Sequence, residues 1–98
     1  MTTKQVFEIR ESLPNKNVWL VRGRAYEDLQ VGESVFIEGQ KTSGNRAYLE
    51  FKITSIITYQ TELQFLDGGV TGQLTLEGPN EEILKNATHL LKISRADD

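Results

Sequence analysis

The residues that could carry chemistry are few. His89 is the single histidine and could act as a general base beside a hydroxyl, but it stands in an apolar strand pattern with no G-x-S-x-G elbow, so it reads as structural. Carboxylates are adjacent at Glu81-Glu82 and at Asp97-Asp98. The first pair suits the opening turn of a helix, where the dipole favours negative charge, and the second suits a solvated tail; neither has the form of an acid–base pair. Asp67 and Glu62 lack the clustered acidic spacing of a hard-cation loop. Gly68-Gly69 is too short for a phosphate loop, and G-x-x-x-x-G-K-[ST] is absent, so nucleotide hydrolysis is not expected of this chain. With no cysteine there is no disulfide, thiolate metal site or cysteine nucleophile. The reading is of a chain with no catalytic residues, no metal and no cofactor.

The strand pattern must therefore be read for what it positions. Ninety-eight residues suit one domain, residues 1–98, and folding at that size buries roughly 60–68% of the unfolded surface. Lys4 to Glu11 alternates with Phe7 and Ile9 on one side, and Val6 breaks the pattern. Ser12 to Asn17, with Pro14 inside it, predicts a turn. Val18-Trp19-Leu20-Val21 is apolar at every position, as in a strand covered on both faces, and Val18 and Leu20 are expected inward. Gly32 is the turn before Ser34 to Gly39, where Val35 and Ile37 face one way and Phe36 the other. Gly44-Asn45 predicts a further turn.

Ala47 to Gln60 is the longest strand pattern, with Leu49, Phe51 and Ile53 inward and a bulge expected between Thr54 and Ile57, where alternation fails. Asp67-Gly68-Gly69 is a tight turn leading to Val70–Gly78, with Leu74 and Leu76 inward. Asn80 to Lys85 predicts one or two helical turns with Asn80 as N-cap and Asn86 as the stop, and His89 to Ser94 is the last strand. The sum is an all-β chain: a small, closed, antiparallel barrel of six strands with one short helical turn.

Order and spacing of the motifs carry a resemblance. Gly23-Arg24, then Val31-Gly32-Glu33-x-Val35, then Val6-Phe7-x-Ile9 upstream, Glu62 to Gly78 and Asn80 to Asn86 downstream, together resemble the barrel that forms the second domain of elongation factor Tu and related translational GTPases. The resemblance covers nearly the whole chain and implies a translation-protein barrel standing without its GTPase domain. In that family the barrel helps hold the aminoacylated end of tRNA through an acidic pair before the first-strand phenylalanine, apolar residues of that strand and a threonine before the Gly-Arg pair. This sequence keeps Phe7 and Ile9 but has Lys4 and Gln5 in place of the acids and Arg22 in place of the threonine.

The resemblance thus implies a binding face of Lys4, Phe7, Ile9, Arg22 and Arg24 that prefers an anion to an α-amino group. Arg22 and Arg24, two apart on one strand, share a side. Two function classes stay open: a non-catalytic binding module contacting a protein or RNA partner, and a structural or assembly protein acting as a homodimer. The net charge of −3, with both signs mixed, argues mildly against a dedicated nucleic-acid binder. No apolar run reaches bilayer length and the first residues lack a signal-peptide core, so the expected place of action is the cytoplasm, with no membrane partner.

Overall fold

The computed structural model describes residues 2–40, 46–78 and 87–94. Within them the chain forms nine strands: β1 (Thr2–Asn15), β2 (Val18–Ala25), β3 (Leu29–Gln30), β4 (Ser34–Gln40), β5 (Arg46–Thr58), β6 (Thr61–Leu63), β7 (Phe65–Leu66), β8 (Thr71–Glu77) and β9 (His89–Ser94). Six of them close into a ring of antiparallel pairs, β4-β9-β1-β2-β8-β5 and back to β4. The return from β9 to β4 rests on one bridge, Phe36 opposite Leu91. Strand β6 extends the sheet beyond β5, and β3 pairs with β7 as a separate two-stranded sheet. The helix expected at Asn80 to Lys85, its stop at Asn86 and the turn at Gly44-Asn45 lie outside the described residues.

The ring encloses the core: Val6, Phe7, Trp19, Val21, Ala25, Leu29, Val35, Ile37, Phe51, Ile53, Ile56, Leu66, Leu74, Leu76 and Leu90 are all buried. Three irregularities bend the long strands around it. In β1 the register slips at Val6 against β9 and at Arg10 against β2, so Val6 and Phe7 are both buried despite being neighbours. In β5 it slips at Thr54, inside the interval where a bulge was expected, and this turns Ile56 rather than Ile57 into the core.

Four expectations need correction. On β2 the buried pair is Trp19 and Val21; Val18 and Leu20 are on the outer side and half-buried. Leu49 is also only partly buried, packed against the core. The segment from Ser12 to Asn15 is strand, Pro14 included, and the turn is the short Lys16-Asn17 link, with Lys16 at φ 58°. Likewise β5 ends at Thr58, and Tyr59-Gln60 is a turn.

Gly23 has the tightest surroundings among the described glycines. An added Cβ would fall inside the van der Waals shell of the Glu8 carbonyl oxygen and lie 3.0 Å from the Phe7 ring. Gly32 differs in kind: its φ of 97° requires glycine, but its side-chain space is empty. Gly23→Ala should therefore cost about 3 kcal/mol or more, because backbone must move, and Gly32→Ala only about 1–2 kcal/mol of left-handed strain. Urea denaturation followed by Trp19 fluorescence measures both, and an equal loss would contradict the distinction.

Candidate binding site

Strand β2 carries Arg22 and Arg24 on its outer side, opposite Gln73 and Thr71 of β8, with no slip between them. The expected pairing of the two arginines on one side is what the ladder gives. Arg22 donates from Nε to Gln73 Oε1 at 3.0 Å and from a terminal guanidinium nitrogen to Glu11 Oε1 at 3.4 Å. Arg24 donates from Nε to the Gly69 carbonyl at 3.2 Å, fixing its stem against the turn before β8. Both guanidinium groups remain accessible to solvent.

Beside Arg22 is a hollow of about 370 Å³ lined by Arg22, Ile57, Thr58, Tyr59, Gln60, Thr71, Gly72 and Gln73. Its lip is the turn between β5 and β6, closed by the pair Thr58 opposite Thr61, so the loop has two residues. Both have positive φ, Tyr59 at 49° and Gln60 at 64°. That is the sign a type I′ hairpin demands, and the residues that meet it without strain are asparagine and glycine, not tyrosine and glutamine. The strained position holds an aromatic ring almost wholly in solvent, 92% exposed. Thr58 is tied down by donation to the Thr71 carbonyl at 3.0 Å, and Gly72, with no side chain of its own, faces Leu66 and the Ile57 carbonyl. No carboxylate lines this hollow.

The remaining expected site residues go elsewhere. Phe7 is fully buried and is a core residue, and Ile9 is half-buried against that core. Lys4 is opposite Lys92 of β9, and Lys92 shares its side of that strand with the buried Leu90. Lys4 therefore stands on the core-facing side, where the ring ends, and not on the outer face of Arg22 and Arg24. It belongs to an ion network with Glu27, which also takes Lys92 at 3.3 Å, while Lys92 donates to Glu33 at 2.9 Å. The structure thus brings Arg22 and Arg24 together and leaves Lys4, Phe7 and Ile9 apart from them.

A second hollow, about 390 Å³, is lined by Asp28, Leu29, Gln30, Glu33, Phe65 and Asp67. Two of its carboxylates are already engaged, Asp28 by the Gly68 amide at 2.8 Å and Glu33 by the Gln30 amide at 2.7 Å. Among the described residues no group of three or more histidine, cysteine or acidic side chains is arranged to hold a metal ion. His89 has a partner at each ring nitrogen, the Tyr26 hydroxyl at 3.3 Å and the Thr88 hydroxyl at 3.0 Å, and Tyr26 in turn donates to Glu8 at 3.4 Å. No helix among the described residues is long and apolar enough to cross a membrane.

Tyr59 and Gln60 were not among the residues expected to form a site. Their signal was present: alternation fails at Ile56-Ile57, and an aromatic between polar residues follows where the strand must end. No protein-family model matches the chain, and no curated protein matches it in sequence. Function must therefore be argued from the site.

The ion network makes a pH dependence. The Lys4 ammonium, then Lys92, hold the Glu27 carboxyl below its ordinary value of 4.5 despite partial burial. Burial lowers the affinity of Lys92 for its proton, but Glu33 and Glu27 outweigh it and leave the ammonium raised above 10.5. A depressed carboxyl contributes stability above about pH 4.5 that is lost as pH falls through its folded value; a raised ammonium contributes below about pH 10.5 and loses it as pH rises through its folded value. Glu27→Gln should cost under about 1 kcal/mol at pH 7, since Lys4 is exposed, and the difference from the parent should shrink as pH falls below about 4.5 and the carboxyl takes up its proton. Denaturant midpoints across an acid titration test it; a difference that does not shrink with falling pH would assign the effect to packing.

Proposed function

We propose that this chain is a non-catalytic binding module of the cytoplasm, built as a small closed barrel of the kind found in the second domain of elongation factor Tu. Its ligand is the unpaired end of an RNA strand, bound at the Arg22–Tyr59 hollow. The observation that carries the reading is the placement of a 92%-exposed tyrosine ring, on a turn strained to present it, at a hollow shared with an arginine and free of carboxylates. A strained non-glycine turn with an exposed aromatic is costly to keep unless the ring is used.

The chemistry suits a nucleotide. A base can stack on Tyr59, because every base has a π face, and a phosphate can take charge-assisted hydrogen bonds from Arg22. Arg24 lies next along the same side for a second phosphate. Thr58, Gln60, Thr71 and Gln73 supply polar groups for base edges or a 2′-hydroxyl. In a chain of net charge −3, a hollow whose only charged lining residue is an arginine is a local exception that selects an anion. An acidic loop of a protein could meet Arg22 equally well, but it would leave the tyrosine ring without a stacking partner.

Fluorescence anisotropy with a labelled single-stranded RNA at low salt tests the reading. Affinity should fall as salt rises, Arg22→Glu should abolish binding, and Tyr59→Gly should weaken it by roughly five- to a hundredfold, the loss of one stacked base. Tyr59→Gly should also leave the denaturant midpoint unchanged or higher, since glycine accepts the positive φ. Unchanged affinity in Arg22→Glu at low salt would remove this hollow from consideration, and binding of an acidic peptide in place of RNA would assign the face to a protein.

A further inference from the structure

The outer surface of the ring can be resolved into rows that run across the strands. One row is Glu8, Arg24, Thr71; the next is Glu11, Arg22, Gln73, Ile57; the third is Leu13, Leu20, Thr75, Ser55; the fourth is Asn15, Val18, Glu77, Lys52. Only the third crosses four strands without a charge. It holds Leu13, 45% exposed, directly opposite the half-buried Leu20, with Val18 one row away.

Strand β2 is thus apolar on both sides over Val18-Trp19-Leu20-Val21, yet only Trp19 and Val21 are covered by the chain's own core. A strand with that pattern is normally covered on both faces. An uncharged outer row on an otherwise charged surface marks a contact.

We propose that a second copy of this chain covers it, face to face, about a two-fold axis that runs along the Leu13–Leu20–Thr75 row. Charge decides for a second copy. The rows on either side carry both signs, Glu11, Arg22 and, where β6 continues the row, Glu62 on one side and Glu77 with Lys52 on the other, so the face can complement its own copy. The two-fold operation lays the Glu11–Arg22 row of one copy over the Glu77–Lys52 row of the other, which sets Arg22 beside an opposed glutamate. Each residue of the central row meets its own counterpart, as an isologous contact requires. The proposal does not rest on the RNA reading, since the Tyr59 turn lies outside the central row, although the two share Arg22.

The chain has no cysteine, so single introduced cysteines report geometry without background. Leu13→Cys and Leu20→Cys should form intermolecular disulfides under mild oxidation faster than Tyr59→Cys, although Tyr59 is the more exposed site, because only counterparts within about 7 Å can bridge. Sedimentation of the unaltered chain should show a mass rising from 11.1 kDa with concentration, and Leu20→Lys should hold it at the monomer. Cross-linking that simply follows exposure, or a monomer mass at every concentration, overturns the proposal. The cysteine comparison decides even if Leu20→Lys fails to fold, and neither measurement involves RNA.

Discussion

The ring depends on how closely β1 passes β2 at Gly23. There the Glu8 carbonyl occupies the space that any side chain would need, and Phe7 packs beside it in the core. Such an approach is possible only because β1 is bent on either side of that point, at Val6 and at Arg10. The bends let one strand serve both neighbours, β9 along its first half and β2 along its second. Without them β1 would run straight past β2, and the ring would have nowhere to turn. The slip at Thr54 does the same for β5, which pairs with β4 at its start and with β8 and β6 further on.

Much of this was legible in the chain because glycine and alternation are local signals. Gly32 and Gly69 have the positive φ that turns need, β4 shows Val35 and Ile37 on the core side, and β9 spans the apolar run that contains His89. The failure on β2 has a physical cause: a run of apolar residues carries no phase. Val18 to Val21 could be read either way, and the deciding residues lie outside it. Arg22 and Arg24 share parity with Val18 and Leu20, whereas Gly23, where β1 passes close, and Ala25 share it with Trp19 and Val21. Reading the run through to Ala25 gives the right face. Pro14 misled for a different reason: a strand excludes proline only where its N–H would be needed in a ladder, and beyond Glu8 strand β1 is paired on one side alone, to β2.

The candidate site was legible only in its arginines. Period two along β2 sufficed to set Arg22 beside Arg24, because nothing interrupts that strand. Lys4 could not be placed in this way: its side depends on the slip at Val6, and what it meets depends on Glu27, brought near by the excursion between β2 and β3. Tyr59 is the opposite case. The sequence marks only the end of the strand there; that the ring stands in solvent on a turn of positive φ depends on backbone angles, which composition does not reveal.

The proposed RNA hollow and the proposed pairing row occupy adjoining parts of one sheet surface, and Arg22 stands at their boundary. Its guanidinium is already shared between Gln73 at 3.0 Å and Glu11 at 3.4 Å, and the exposed ion pair with Glu11 is a contact that a phosphate can displace. A phosphate arriving at the hollow would draw Arg22 away from Glu11 and leave that carboxylate uncompensated in the row beside the apolar strip. Pairing of two copies would do the reverse, by supplying a new glutamate for Arg22 from outside. The two proposed uses of the face would therefore compete for a single cation, so RNA bound at the hollow should loosen the pair, and pairing should weaken RNA binding by the same factor, as linkage requires.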